Sequence, residues 1–203
     1  MLLSLGAFTL AAVLIVLLPG PDTLVVLRNL VRGGRAVAVR TVFGVLAGLS
    51  VWVVTAALGL SAVLRASNDA YLALRIAGAA YLLWLGISSL RSRGQATPER
   101  PARRRSLVGS GFSAGLATDL LNPKVGVFFV TFLPGFVPAG YSVGWMSVLL
   151  GAIFVVLTGL YFAVFILASA KITHWMSTTH IRRRMDRLTG LVLIGFGVKL
   201  ATE

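Results

Sequence analysis

Apolar positions in this chain run in long blocks and not in strand-like alternation. Met1 to Pro21 carries no charged side chain, and Val125 to Ala170 carries none over 46 residues. The second block is too long for a buried soluble helix and long enough for two membrane crossings of about 20 residues each. Reading the blocks in order predicts spans at about Leu2–Leu27, Val37–Leu64, Tyr71–Leu90, Leu107–Leu133, Val143–Ala170 and Leu188–Leu200. The expected fold is an all-α integral membrane protein with six transmembrane helices in one domain, 1–203. The last span has only eleven charge-free residues, Leu188 to Val198. It reaches across if Arg187 and Lys199 extend their heads to the two interfaces.

Polar residues interrupt two of these blocks. Leu18-Pro19-Gly20-Pro21-Asp22-Thr23 lies inside the first span, and Asp119-Leu120-Leu121-Asn122-Pro123-Lys124 lies inside the fourth. Proline lacks the amide donor and clashes with the preceding turn, so the first and fourth helices are expected to be broken. In hydrocarbon, freed backbone groups and ionisable side chains are tolerated only against protein or a water-lined cavity.

The halves resemble each other. Pro21 precedes Gly48 by 27 residues, and Pro123 precedes Gly151 by 28. Arg75-Ile76-Ala77-Gly78 matches Arg187-Leu188-Thr189-Gly190, and Leu85-Gly86-Ile87 matches Phe196-Gly197-Val198. Three spans per half is an odd number, so the second repeat must sit inverted relative to the first. The expected organisation is repeat one at about 1–92, a basic loop at about 91–106 and repeat two at about 107–203. Inverted three-helix repeats with matched breaks are a secondary-transporter design.

Charge adds orientation. Net charge is +13, with 19 Lys/Arg against six acids, in a chain that is 57% hydrophobic with mean hydropathy +0.90. The basic residues cluster between apolar blocks, which excludes a nucleic-acid reading and points to membrane topology. The first connection holds four (Arg28, Arg32, Arg35, Arg40), the third six between Arg91 and Arg105, and the fifth five between Lys171 and Arg187. The other side holds only Arg65, Arg75 and Lys199. The bias places connections one, three and five in the cytoplasm and both termini outside. The apolar N-terminus lacks a charged leader region and is read as a retained span. No cysteine is present, and His174 and His180 form no metal pattern, so no metal or cofactor is expected.

Pro19-Gly20-Pro21-Asp22 with Gly33, Gly44 and Gly48, then Ala79-Ala80-Tyr81-Leu82-Leu83-Trp84-Leu85-Gly86, then Asn122-Pro123-Lys124 with Phe128-Phe129, resemble the lysine exporter (LysE/RhtB) family over nearly the whole chain. The resemblance implies a bacterial inner-membrane protein that exports amino acids or their derivatives, driven by the proton gradient. Two positions depart from the family pattern. Pro134-Gly135-Phe136 stands where relatives carry Pro-Gln-Phe, and Trp52 where they often carry histidine.

Candidate site residues follow from the breaks. Gly20 and Pro21 open one half-helix, and Asn122 and Pro123 open the other. A carboxyl group within the membrane is costly when charged. Asp22 is therefore the first candidate to carry a proton or to meet a substrate ammonium, unless it only caps the helix that follows it. Asp119 is the second candidate. Lys124 could bind a substrate carboxylate beside Asn122, or could pair structurally with Asp119. Arg28 and Asn29 are a candidate gate, with simple interfacial anchoring as the plainer alternative. Gly44 with Gly48, and Gly111 with Gly115, have the spacing that lets helices approach closely; Gly78 and Gly190 occupy matched positions in the two repeats. Trp84, Trp145 and Trp175 read as interface or packing aromatics.

The expected partners are an amino-acid substrate, protons and the lipid bilayer, with a homodimer as the assembly. The rival function is export of an inorganic ion on the same scaffold. Two intramembrane acids without cysteine or histidine are a thin ligand set for it. No catalytic constellation of the kind a membrane enzyme needs is present.

Overall fold

The computed structural model describes residues 1–66, 68–91, 109–138, 140–168 and 179–202, and among them no strand occurs. Helix α1 spans Leu2–Leu17, α2 Pro21–Ala66, α3 Asn68–Arg91, α4 Phe112–Leu120 and α5 Pro123–Val127. A π-turn, Phe128–Phe132, and a 3-10 turn, Leu133–Phe136, continue from α5; α6 is Val143–Leu167 and α7 is Thr179–Thr202.

Both breaks are made by local sterics. Leu18 (φ −75°, ψ 115°) and Asn122 (φ −81°, ψ 102°) are extended because each precedes a proline, whose ring crowds the α conformation of the residue before it. Pro21 and Pro123 then stand at the first positions of the next helices, where the missing amide costs no hydrogen bond. The α4 segment and the segment from Pro123 to Phe136 meet at 52°.

The chain departs from expectation at its first basic connection. Arg28, Arg32, Arg35 and Arg40 are helical, and only Gly34 (φ 73°, ψ −175°) leaves helical geometry within α2. That angle belongs to the region glycine adopts without a Cβ clash. The single residue reverses the chain: Asn29 Nδ2 donates to Thr41 Oγ1 at 2.8 Å, whereas residues 12 apart on a straight helix lie about 18 Å apart. Arginine is a good helix former, so a run of basic residues does not itself end a helix.

The stretch between the fourth and fifth spans opens with the 3-10 turn that takes in Pro134 to Phe136. One further expectation shifts. Residues from Thr179, including Arg182 to Arg184, are already in α7, so the short sixth apolar stretch sits within a 24-residue helix. The connection expected around Arg91–Ser106 lies, beyond Arg91 itself, outside the described residues, as do Lys171, His174 and Trp175.

Glycine contacts give the packing and the direction of each helix. A Cβ on Gly44 would strike the Phe112 carbonyl, and one on Gly115 would strike the Thr41 carbonyl. The arm of α2 after Gly34 therefore lies backbone-to-backbone on α4. Gly48 meets Asp119 and Trp52 meets Gly126 further along, so these segments run in the same sense. Gly151 against Val53 and Gly159 against Leu46 set α6 antiparallel to α2, and Gly86 against Ile194 with Gly197 against Leu83 set α3 antiparallel to α7. Gly78 packs on Thr131 of the π-turn and Gly190 on Leu90. Gly111 is different: at φ 64° it shapes the start of α4, with Arg40 no closer than ordinary contact.

The surface is apolar like the core, and the core also holds buried polar groups. Leu3 (91% exposed), Leu167 (75%) and Trp145 (72%) face outward, while Asp119, Thr41 and Ser147 are fully buried. In water this arrangement would leave large apolar surface unpaid by burial; against lipid it needs no other partner. Pro21–Gly59, Leu72–Arg91 and Val143–Leu167 are long and apolar enough to cross a membrane, and the bent pair around Asn122 makes a fourth candidate.

Candidate functional site

The two breaks meet, although 100 residues separate them in sequence. Asn122 Nδ2 donates to Asp22 Oδ2 at 2.6 Å. The other side of the same amide caps α5, with Oδ1 accepting from the Lys124 N–H at 3.2 Å. One asparagine thus starts the second half-helix and holds the carboxylate that starts the first. Replacing Asn122 with alanine removes the cap and leaves Asp22 unpartnered. We expect a loss of about 1–3 kcal/mol, read as a lower melting temperature of the purified protein.

Lys124 crosses the gap in the other direction. Its Nζ donates to the carbonyls of Ile15 at 3.0 Å and Leu18 at 3.1 Å. These lie at the end of α1, where the helix dipole favours a cation, and Ile15 O also accepts the Leu18 N–H at 3.2 Å. Lys124 does not pair with Asp119, the structural alternative raised by their spacing, because the break at Asn122 turns the lysine toward α1. Both Asp119 carboxylate oxygens, and Oδ1 of Asp22, are buried without a protein hydrogen-bond partner.

Asp119 is held by its surroundings. Its carboxylate lies against Gly48, where an added Cβ would come within 2.5 Å of Oδ2. Its backbone carbonyl, at the frayed end of α4, accepts from Trp52 Nε1 at 3.3 Å. Trp52 therefore has a structural task in this chain.

Between these groups lies a cavity of about 40 Å³. A water needs roughly 10–15 Å³, so the space admits at least a few waters. Asp22, Asp119, Lys124 and Gly20 form its polar wall. Val45, Leu49, Val125, Phe154 and Phe162 form the apolar wall, with Thr23, Thr158 and Tyr161 at its edge. Thr158 Oγ1 is buried and has no protein partner. Thr158 and Tyr161 were not among the sequence candidates. The available signal was a hydroxyl in a charge-free span, which many packed helices also show.

On the other side of α5 the π-turn presents an aromatic cluster. Phe128 contacts Phe8 (6.0 Å between ring centres), Phe132 (5.4 Å) and Phe154 (5.1 Å), and Phe132 contacts Phe196 at 4.5 Å. Lys199 Nζ lies 4.4 Å from the Phe136 ring centre, a cation–π distance. Phe154 belongs both to this cluster and to the cavity wall.

The gate candidates fall elsewhere. Asn29 is buried and spends its amide on Thr41, closing the hairpin at Gly34. Arg28 is exposed. Neither touches the cavity.

The sequence profile described as "LysE type translocator" matches residues 6–203. An "Uncharacterized membrane protein YrhP" of Bacillus subtilis (strain 168) is 31% identical, with 97% of this chain and 97% of that protein covered. A "Leucine efflux protein" of Salmonella typhimurium is 30% identical, covering 98% of this chain and 95% of that protein. No solved structure matches the chain. A profile that takes in both helix breaks, and relatives aligned from end to end, place this chain in the family of LysE-type translocators.

Proposed function

We propose that this protein is a secondary transporter that exports amino acids with apolar side chains across the bacterial inner membrane in exchange for protons. The observation that carries the reading is the junction of the two breaks, which puts two carboxylates, one ammonium and the helix-end carbonyls it bonds beside an apolar wall. A zwitterion with an aliphatic side chain complements each of these parts. Leucine efflux by relatives of matching length favours this reading over export of an inorganic ion.

Six crossings account for the helix directions. The second arm of α2 and α4 run together while α2 and α6 oppose, as inverted repeats with α1 and α4 in equivalent places require. The contact of Gly190 with Gly86 has a counterpart in that of Gly197 with Ala79, as expected if a two-fold axis passes between α3 and α7. The basic connections then lie in the cytoplasm and both termini outside.

Asp119 replaces Asp22 as our first candidate for the coupling group. Asp22 is committed to Asn122, whereas a buried carboxylate with neither oxygen partnered calls for a positive charge beside it, since an uncompensated charge in hydrocarbon is costly. A proton carried on Asp119 meets that need. Rocking of one repeat on the other is the motion such folds use.

Counterflow of a labelled amino-acid panel in proteoliposomes tests the class. Leucine, isoleucine and valine are expected to exchange faster than charged amino acids. Exchange of none of the panel by folded protein refutes the reading.

A further inference from the structure

We propose that the carbonyl oxygens of Ile15 and Leu18 are the ammonium subsite for the transported amino acid, and that Lys124 fills this subsite with its own ammonium until substrate displaces it. The inference rests on the amino-acid reading above and adds to it where the amine binds and what it must displace.

The subsite is already occupied by the right chemistry. A lysine head is a primary ammonium, as is the α-ammonium of an amino acid, and it sits 3.0 and 3.1 Å from the two carbonyls. Ile15 O takes one bond from the Leu18 N–H at 3.2 Å and keeps a second lone pair for a ligand, while extended Leu18 lies past the end of α1. Two convergent acceptors select a cation with at least two N–H donors. An ammonium has three, which leaves one for a carboxylate oxygen on the cavity wall. Asp22 Oδ1 and both oxygens of Asp119 are the unpartnered acceptors there.

Displacement gives both charges of the substrate a partner. When the substrate ammonium takes the carbonyls of Ile15 and Leu18, the flexible lysine stem lets Nζ turn to the carboxylate that the same substrate brings. Asp22 stays bonded to Asn122. Lys124 thus binds the substrate carboxylate, the role expected from its position beside Asn122, only after it has given up the amine subsite. A ligand that carries an amine alone must displace Lys124 without offering it a new partner. A ligand that carries a carboxylate alone offers a partner but cannot replace the lysine on the carbonyls. Both are therefore poor ligands for the unaltered protein.

The test is competition against labelled leucine in counterflow, using leucinol as the amine-only competitor and 4-methylpentanoate as the carboxylate-only competitor, with the full chain and with Lys124→Met. In the variant the carbonyls are open. Leucinol is expected to compete at least about tenfold better, a shift worth about 1.4 kcal/mol, while 4-methylpentanoate competes no better. An unchanged or weakened effect of leucinol overturns the proposal, as does a gain for both competitors alike. An N-methylation series on the unaltered protein gives a reading independent of how well the variant folds. Potency should fall from leucine to N,N-dimethylleucine and vanish for N,N,N-trimethylleucine, whose nitrogen has no N–H. Equal competition by the trimethylated compound overturns the subsite. If the unaltered, folded protein exchanges no leucine at all, it is the amino-acid reading that falls, and the subsite with it.

Discussion

Uphill transport is expected to collapse in Asp119→Asn while exchange persists. In proteoliposomes the asparagine variant should lose pH-gradient-driven accumulation of leucine by roughly 100-fold, the upper range of a typical coupling energy between two ligands. Counterflow, which needs no net proton movement, should survive at a reduced rate. The physical reason is the setting of the carboxylate: fully buried, pressed on Gly48, and with neither oxygen bonded to protein. Asparagine keeps the shape and cannot exchange a proton. Asp22→Asn should behave differently. That variant disturbs the 2.6 Å bond to Asn122, so it should slow counterflow and driven uptake together. Retained pH-driven uptake in Asp119→Asn, with loss confined to Asp22→Asn, would return the coupling role to Asp22.

The second large effect is expected at the crossing of α2 and α4. In Gly115→Ala the new methyl meets the Thr41 carbonyl and the Val45 amide, and in Gly44→Ala it meets the Phe112 carbonyl. Backbone cannot rotate out of the way as a side chain can, so the helices must separate. Overpacking of this kind costs about 1–3 kcal/mol or more. In a chain of this size that corresponds to a fall in melting temperature of several degrees, at about 2–4 °C per kcal/mol. Gly195→Ala and Gly6→Ala are the matched controls, because a Cβ there meets nothing within 4 Å. Alanine is the better helix former by about 1 kcal/mol, so both controls should hold or raise the melting temperature. Thermal unfolding of the purified variants in detergent separates the two pairs. Equal losses at all four positions would show that the crossing is not a tight contact.

The breaks and the close crossing were legible in the sequence because their causes are local. A proline fixes its own φ and constrains its predecessor wherever it stands, so Leu18 and Asn122 were bound to be extended. Gly44 with Gly48, and Gly111 with Gly115, had the spacing of a close approach; Gly44, Gly48 and Gly115 lie at the crossing of α2 and α4, and Gly111 does not. What could not be read depends on direction in space. Four arginines around Gly33-Gly34 suggested a basic connection between two spans, yet one glycine at φ 73° turns the chain and leaves the arginines helical. Asp119 and Lys124, five residues apart, suggested an ion pair. The 52° bend between them sends the lysine to α1 and leaves the aspartate against Gly48. Thr158 and Tyr161 gave no distinguishing signal, since nothing in a single span reveals which of its faces meets a cavity.

One measurement tests most directly whether substrate occupies the junction of the two breaks. The chain contains no cysteine, so Thr158→Cys places a single thiol on the cavity wall, at a buried hydroxyl that bonds no protein group. The rate at which a small methanethiosulfonate reagent labels this thiol can be followed in an exchange-competent preparation, with and without saturating leucine. Substrate in the cavity should slow labelling steeply, and an amino acid that fails to exchange should leave the rate unchanged. Labelling that proceeds at the same rate under saturating leucine would place the transport path elsewhere and contradict the account.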